Sequence, residues 1–219
     1  MIEAVIFDMD GVIIDSEPLW REAEVQVFNK HGLPLTPNDC RKTTGLKITE
    51  VVEYWQNKYP DVKLDVERLS NEILEEVSKL VLKHGEPMMG VVKSIGFLNK
   101  IGVKLALASG SNYSLINAVL KKLKLQGVFS VIQSAEDLKY GKPHPEIFLL
   151  TAQKLDVKPS DCLVIEDSVF GLIAAKAANM KCIAIPDSEN QNAPSYAIAD
   201  AKLKTLHDFT EKMYQKLNI

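Results

Sequence analysis

Five short runs of apolar residues place the strongest constraint on the fold of this 219-residue chain. Each run is five or six residues long, and stretches with the apolar spacing of helices lie between the runs. A strand that helices cover on both faces is continuously apolar, whereas a half-exposed strand alternates. The pattern therefore predicts an α/β fold with a Rossmann-like, doubly wound parallel sheet. The predicted strands lie at 3–7, 104–109, 130–135, 162–166 and 181–186.

Amphipathic helices are predicted between these strands and at the end of the chain. Their apolar residues recur at helical spacing, as in Ile116, Val119 and Leu120. Gly102 suits the end of one helix, and Pro145 can occupy the first turn of another. The predicted helices lie at 91–102, 114–125, 145–157, 168–180 and 205–219.

Residues 16–88 interrupt the alternation, because the apolar patterns there are helical only. We therefore expect a core made of residues 1–15 and 89–219 that carries an inserted helical bundle, a cap, at residues 16–88. The bundle leaves the core just after the first strand, so its base lies at the mouth of any site built there. It could be a packing decoration, or a lid that excludes water and selects the substrate.

The composition and net charge of the chain limit the partners and the cellular compartment that we expect for it. The net charge is −3 and the sequence pI is about 5.9, so we expect neither nucleic acid nor an anionic membrane as a partner. The three cysteines are widely spaced without a CxxC pair, which favours a reducing compartment. The N-terminus lacks the pattern of a signal peptide, and no apolar run approaches the length of a membrane span. We expect a soluble, cytoplasmic monomer.

Polar residues follow the first four predicted strands, at the points where those strands end. In an open parallel sheet, ligands bind beyond the carboxyl ends of the strands, so these side chains should converge on one crevice. Each alone has an ordinary alternative role as a strand-end acid, a helix cap or a solvated lysine. Their joint occurrence, strand by strand, favours a functional site. The residues are Asp8, Asp10, Gly11, Ser109, Gly110, Ser111, Asn112, Lys142, Glu166, Asp167 and Ser168.

Phosphoryl transfer is the chemistry that this set of residues favours. Crowded carboxylates repel one another unless a cation lies among them, and oxygen ligands together with a substrate phosphate suit Mg²⁺. Ser109, with the backbone N–H groups of Gly110 and Ser111, could hold phosphate oxygens, and Lys142 could offset their charge. One carboxylate could attack phosphorus, and a second, two residues along, could protonate the leaving oxygen.

Four segments of the chain together form a distinctive set of motifs: FDMDGVIIDSEP, LALASGS, GKPHPEIF and VIEDSVFGLIAAKAANM. They resemble the signature motifs of the haloacid dehalogenase superfamily, in the branch of β-phosphoglucomutases and sugar-phosphate phosphatases. The resemblance spans nearly the whole chain and implies that Asp8 is the nucleophile, forming an aspartyl-phosphate. It implies that Asp10 is the general acid and then the base that activates water.

The same resemblance implies the binding residues of the core. Asp8, the backbone carbonyl of Asp10 and Asp167 would hold Mg²⁺, with Glu166 close by in support. Ser109 and Lys142 would bind the phosphoryl group, together with the turn at Gly110 and Ser111. The substrate would be a small phosphorylated sugar or polyol, and the chain a Mg²⁺-dependent phosphatase.

In the cap, residues 43–50 resemble the loop that sets substrate specificity in this branch. Gly45, Leu46 and Lys47 are the candidates there, with Lys47 in place of a frequent Arg. Trp20 stands where the mutases carry a His, which favours a phosphatase over a mutase; a place in the bundle core is an equal alternative for Trp20. A phosphosugar mutase and a non-catalytic phosphosugar-binding protein are the competing hypotheses.

Overall fold

A six-stranded, fully parallel sheet forms the centre of the molecule in the computed structural model, which describes residues 1–43 and 46–218. The strand order is β3-β2-β1-β4-β5-β6, so the chain starts in the middle of the sheet and builds outward on both sides. This is the doubly wound arrangement that the sequence predicts. The strands are β1 (Ala4–Phe7), β2 (Lys104–Ser109), β3 (Val131–Ser134), β4 (Cys162–Glu166), β5 (Lys181–Ala184) and β6 (Ala201–Lys202).

Helices cover both faces of the sheet, which explains why its strands are continuously apolar. Val5 and Phe7 of β1 belong to one buried cluster, and Ala4 and Ile6 belong to a second cluster on the opposite face. Helices α5, α6 and α9 pack into the first cluster, and α7 and α8 into the second. These helices are α5 (Val91–Lys100), α6 (Tyr113–Lys122), α7 (Glu146–Leu155), α8 (Val169–Ala177) and α9 (Glu211–Leu217).

Four α-helices lie between β1 and α5 in the described part of this region, which agrees with its helical pattern except at α2. The two longest, α1 and α4, pack against each other, and α3 packs on α4. Helix α2 is a single turn that the apolar spacing did not predict; a reciprocal capping pair, Thr36 and Asp39, stabilises it. The helices are α1 (Glu17–Lys30), α2 (Pro37–Cys40), α3 (Ile48–Lys58) and α4 (Val66–His84).

The end of the chain differs from the single closing helix predicted at 205–219. A one-turn 3₁₀ helix occupies Leu206–Asp208, and α9 begins only at Glu211. Phe209 between them has extended backbone angles. The break has a local cause, because the Thr210 hydroxyl accepts a hydrogen bond from the Met213 N–H and caps a new helix. The apolar spacing continues across this break, so periodicity alone joins two elements into one.

Cys40, Cys162 and Cys182 are all buried and all free, so each acts as a small apolar residue. No helix in the described ranges combines the length and the apolar character needed to cross a membrane.

Two backbone segments connect the helical insertion to the sheet, and they are hydrogen-bonded to each other. The Asp15 N–H donates to the Glu86 carbonyl at 3.2 Å, and the Met88 N–H donates to the Ile13 carbonyl at 3.0 Å. The returning segment ends at Gly90, whose φ of +94° lies in the left-handed region. A Cβ atom at Gly90 would lie 2.1 Å from the backbone nitrogen of His207, so close packing also requires glycine here.

We expect Gly90→Ala to destabilise the fold more than Gly102→Ala, a matched change at another left-handed glycine. Gly102 has φ +76° and open space where a Cβ would lie, so that variant should lose only about 1 kcal/mol from backbone strain. Gly90→Ala adds a backbone clash and should lose about 2–4 kcal/mol. Urea unfolding measures the free energy of unfolding of both variants. Equal losses of stability would contradict the predicted backbone clash at position 90.

Candidate active site

A buried lysine joins the ends of three strands. The Lys142 Nζ donates hydrogen bonds to Asp8 Oδ1 at 2.6 Å and to Glu166 Oε1 at 2.5 Å. Asp8 follows β1, Glu166 ends β4, and Lys142 lies in the loop after β3. Lys142 and both acids have little exposed side chain, so these are ion pairs shielded from water. Such pairs are strongly coupled, because removing one partner leaves a buried charge without compensation.

The pKa of Lys142 reports the excess of negative charge around it. Burial by itself would lower this pKa, but the carboxylates of Asp8 and Glu166 outweigh burial and raise it above its usual range. The ammonium group therefore stays charged.

The carboxyl groups of Asp8, Glu166 and Asp167 each offer an oxygen, and these oxygens lie within 4.8 Å of one another. Burial raises the pKa values of Asp8 and Asp167, and the neighbouring acids raise them further. Lys142 lowers both but does not compensate for burial and crowding. A hard divalent cation fits this oxygen-only donor set and would relieve the repulsion. These residues therefore could hold Mg²⁺.

Two serine hydroxyls fix the side chain of Asp10. The Ser16 Oγ donates to Asp10 Oδ1 at 2.5 Å, and the Ser111 Oγ donates to Asp10 Oδ2 at 2.9 Å. Ser16 lies at the N-cap of α1 but makes no side-chain cap, because its hydroxyl turns to Asp10. The carboxylate of Asp10 is thus linked both to the start of the helical insertion and to the turn after β2.

The turn after β2 is fixed by its own hydrogen bonds. Ser109 is fully buried, and its Oγ accepts from the Ser111 N–H at 3.0 Å. The Ser134 hydroxyl donates to the Ser111 carbonyl at 2.7 Å. Gly110, between the two serines, is exposed. Asn112 caps α6 by accepting from the Leu115 N–H, the ordinary role weighed for this segment. The predicted phosphate-binding residues therefore lie at the sheet edge beside Asp10.

Two glycines leave room for the acidic side chains. A Cβ at Gly11 would lie 2.1 Å from Asp167 Oδ2, and the φ of Gly11 is +73°. A Cβ at Gly171, in the first turn of α8, would lie 1.8 Å from Glu166 Oε1. The sequence analysis named Gly11 among the residues that follow the first strand but gave no role to Gly171. The signal available in the sequence was a glycine inside a largely apolar predicted helix that closely follows Glu166.

Hydrogen bonds from two further residues fix Glu166 and Asp167. The Ser168 N–H and hydroxyl both donate to Glu166 Oε2 at 2.9 Å. The Tyr196 hydroxyl donates to the backbone carbonyl of Asp167 at 2.7 Å. Tyr196 lies in a short 3₁₀ helix, Pro194–Ile198, in a segment to which the sequence assigned no role, and no sequence pattern connects it to Asp167.

The candidate residues of the insertion lie at different depths. Trp20 is half-buried and packs against the large apolar cluster, in agreement with a core role. Lys47 is exposed, and its Cε lies 3.2 Å from where a Cβ of Gly141 would be. The loop with Lys47 thus reaches the core loop that carries Lys142. Leu46 is exposed, and Gly45 lies outside the described residues.

A polar row on α1 was missed by the sequence analysis. The guanidinium group of Arg21 donates to Glu17 Oε2 at 3.0 Å, and Glu24 follows on the same helix face. Burial raises the pKa of Glu17, the attraction of Arg21 opposes the rise, and Asp10 and Asp15 add to it. Glu24 is only 7% exposed, and burial raises the pKa of its carboxyl group to about 7. The i, i+4, i+7 spacing was the available signal.

The chain is similar to known proteins along most of its length. The family model described as haloacid dehalogenase-like hydrolase matches residues 5–185. Hexitol phosphatase B of Escherichia coli (strain K12) is 38% identical over 212 residues, which cover 96% of each chain. A phosphorylated carbohydrates phosphatase of Thermotoga maritima is 34% identical over 182 residues, covering 83% of this chain and 84% of that one.

A solved structure shares the fold over nearly the full length. The crystal structure of β-phosphoglucomutase from Clostridium difficile superimposes with a TM-score of 0.83 and 26% sequence identity. The match covers 99% of this chain and 97% of that chain. The sheet with its helical insertion is therefore an arrangement that a solved structure also contains.

We expect Gly171→Ala to destabilise the protein by about 3 kcal/mol, because the new methyl group would displace Glu166 from Lys142 and Ser168. Gly96→Ala is the matched control in α5, with open space around the added Cβ. It should be neutral or stabilise by up to about 1 kcal/mol, since alanine favours helix interiors. Urea unfolding gives both values, and a stability of Gly171→Ala equal to that of Gly96→Ala would contradict the role of Gly171.

The raised pKa of Glu24 predicts a pH-dependent stability. Because the folded pKa, about 7, exceeds the ordinary 4.5, the contribution of Glu24 is complete below pH 4.5 and lost as pH rises through 7. Relative to the wild type, Glu24→Gln should therefore gain about 3 kcal/mol between roughly pH 5 and pH 8. Urea unfolding at both pH values measures this gain. The exposed Glu22→Gln is the control, and an equal change in both variants would refute the assignment.

Proposed function

The chain belongs to the family of haloacid dehalogenase-like hydrolases, and we propose that it is a Mg²⁺-dependent phosphatase of small sugar and polyol phosphates. The observation that carries this proposal is the buried group of Asp8, Lys142 and Glu166 beside Asp167. Asp8 pairs with a lysine and lies close to two further acids. A carboxylate in this setting is suited to attack the phosphorus of a phosphate ester that binds together with a cation.

The substrate class rests on the relatives. Two of them are phosphatases of a hexitol and of phosphorylated carbohydrates, and the first is similar along 96% of both chains. We propose that residues 1–15 and 89–219 form the catalytic core, and that the cap at 16–88 selects the substrate. Trp20 and Lys47, with Gly45 and Leu46, are the cap positions proposed for contact with the sugar or polyol.

The first half of the proposed reaction transfers the phosphoryl group to the enzyme. A carboxylate oxygen of Asp8 forms a bond to phosphorus while the bond from phosphorus to the ester oxygen breaks. The electron pair of the broken bond stays on the leaving oxygen, which takes a proton from the Asp10 carboxyl group. Ser16 and Ser111 hold the Asp10 side chain by its two oxygens. The products are the alcohol and an aspartyl-phosphate at Asp8.

The second half releases phosphate. Asp10, now a carboxylate, takes a proton from a water molecule whose oxygen bonds to phosphorus. The bond from phosphorus to the Asp8 oxygen breaks, so Asp8 returns as a carboxylate and Asp10 returns protonated. Lys142 offsets charge on Asp8 and on the phosphoryl oxygens throughout, and the turn at Ser109, Gly110 and Ser111 binds those oxygens.

The acids at the carboxyl ends of β1 and β4 form a site that could bind Mg²⁺. Asp8, Asp167 and the backbone carbonyl of Asp10 would hold the ion, with Glu166 in support through its bonds to Lys142 and Ser168. When bound, Mg²⁺ supplies positive charge that offsets the carboxylates and the phosphoryl oxygens.

A phosphosugar mutase is the second candidate function, and the likeness to a β-phosphoglucomutase structure is the observation that favours it. Against it, Trp20 occupies the position that the resemblance assigns to a mutase histidine. A non-catalytic phosphosugar-binding protein is disfavoured, because Asp8, Asp10, Lys142 and Asp167 are all present.

Asp8→Asn should reduce Mg²⁺-dependent phosphate release from sorbitol 6-phosphate by about a thousandfold or more, because the amide cannot act as the nucleophile. Asp156→Asn makes the same chemical change at the exposed end of α7 and is the control. ³¹P NMR of the wild-type reaction separates the two functions: a phosphatase accumulates inorganic phosphate, whereas a mutase acting on glucose 1-phosphate accumulates glucose 6-phosphate. Full activity in pure Asp8→Asn protein would refute the assignment of Asp8 as the nucleophile.

A further inference from the structure

Tyr196 donates a buried hydrogen bond to the backbone of an acid that could hold Mg²⁺. It is 6% exposed, and its hydroxyl lies 2.7 Å from the carbonyl oxygen of Asp167. The direction of this bond is certain, because a carbonyl oxygen only accepts hydrogen bonds. The ring of Tyr196 packs in the second buried cluster, between the sheet and helices α7 and α8. The hydroxyl group is therefore held at one place beside Asp167.

The carbonyl that receives this bond lies where the chain leaves β4 and has not yet begun α8. On one side, the carbonyl of Glu166 accepts from the Ile185 N–H at 2.7 Å, which continues the pairing of β4 with β5. On the other side, the carbonyl of Ser168 accepts from the Leu172 N–H at 3.0 Å, in the first turn of α8. Between them, at Asp167, a side chain from a different segment supplies the donor.

Asp167 is the acid of this group whose side chain the protein restrains least. Lys142 bonds a carboxyl oxygen of Asp8. Lys142 also bonds Glu166, whose second oxygen accepts from Ser168. In the described part of the chain, no donor bonds a carboxyl oxygen of Asp167. The direction of this carboxylate therefore follows from the backbone of Asp167, and the bond to its carbonyl fixes that backbone.

The segment that carries Tyr196 is itself fixed by hydrogen bonds. The Gln191 Nε2 donates to the Pro186 carbonyl at 2.6 Å, and the Lys202 Nζ donates to the Gln191 carbonyl at 2.6 Å. The 3₁₀ helix at Pro194–Ile198 packs against α8. Because its own position is supported in this way, the hydroxyl of Tyr196 can hold the peptide of Asp167 in place.

We propose that Tyr196 is a positioning residue for Mg²⁺, whose hydroxyl holds the peptide of Asp167 so that the carboxylate keeps a fixed direction toward the ion. This inference rests on the proposed function and extends its metal site to a residue that touches neither the substrate nor the ion. Mg²⁺ requires nearly ideal octahedral geometry, so its affinity depends on the directions of its ligands. Groups that orient metal ligands typically contribute about tenfold to a hundredfold to metal affinity.

Tyr196→Phe removes only the hydroxyl group, and the measured quantity is the dissociation constant of Mn²⁺. Mn²⁺ takes the same oxygen ligands as Mg²⁺, and the EPR signal of the free ion falls as it binds. The dissociation constant should rise by about tenfold in Tyr196→Phe, because the carboxylate of Asp167 loses its fixed direction. The Mg²⁺ concentration that gives half-maximal phosphate release from sorbitol 6-phosphate should rise by a similar factor.

Tyr214→Phe is the matched control, because it removes the same kind of bond at a distant place. Tyr214 is 7% exposed, and its hydroxyl donates to the backbone carbonyl of Ile2 at 3.0 Å. Ile2 precedes β1, at the end of that strand away from Asp8. Both variants should lower the midpoint of thermal unfolding by about 2–4 °C, but only Tyr196→Phe should weaken Mn²⁺ binding.

An unchanged dissociation constant in Tyr196→Phe, or an equal rise in both variants, would overturn the role of Tyr196. A wild type that binds no Mn²⁺ would overturn the metal site, and the inference with it. A wild type that binds Mn²⁺ but releases no phosphate from sugar or polyol phosphates would contradict the proposed function alone. The comparison of Mn²⁺ binding would then still decide the role of Tyr196.

Discussion

The ion pairs of Lys142 with Asp8 and Glu166 are the interaction on which the rest of the site depends. They join the loop after β3 to the ends of β1 and β4, and they place one positive charge among the acids, which opposes the rise that burial causes in the pKa values of Asp8 and Asp167. The surrounding sequence accommodates this arrangement. Glycine at 171 leaves space for Glu166, and Ser168 donates two hydrogen bonds to its second oxygen. The acids are thus fixed by protein contacts and still offer oxygens to a cation.

The fold was predictable because its signals are local and repeated. β2 and β4 have the predicted bounds, since a strand buried on both faces must be apolar throughout. β6 was not predicted, because two residues carry no periodicity. The closing helix was predicted as too long, because a capping threonine in the middle of an apolar pattern starts a new helix.

The candidate site was predictable to the extent that topology determines it. In a parallel sheet, the residues after each strand must meet, and Asp8, Lys142, Glu166 and Asp167 do lie together. Contacts made by the cap and by distant loops could not be derived in this way. The bond of Ser16 to Asp10 and the burial of Glu24 depend on how α1 packs against its neighbours, which no spacing within α1 reveals.

The paired segments at the base of the cap have a consequence for how such chains diversify. The bonds between Asp15 and Glu86, and between Ile13 and Met88, bring the two ends of the insertion together in space. A different helical bundle joined at these two points would leave the strands and their acids undisturbed, since insertions are tolerated where their ends are close. One catalytic sheet could in this way be recombined with many caps, so that the range of accepted esters changes by exchange of a module while the chemistry is inherited intact.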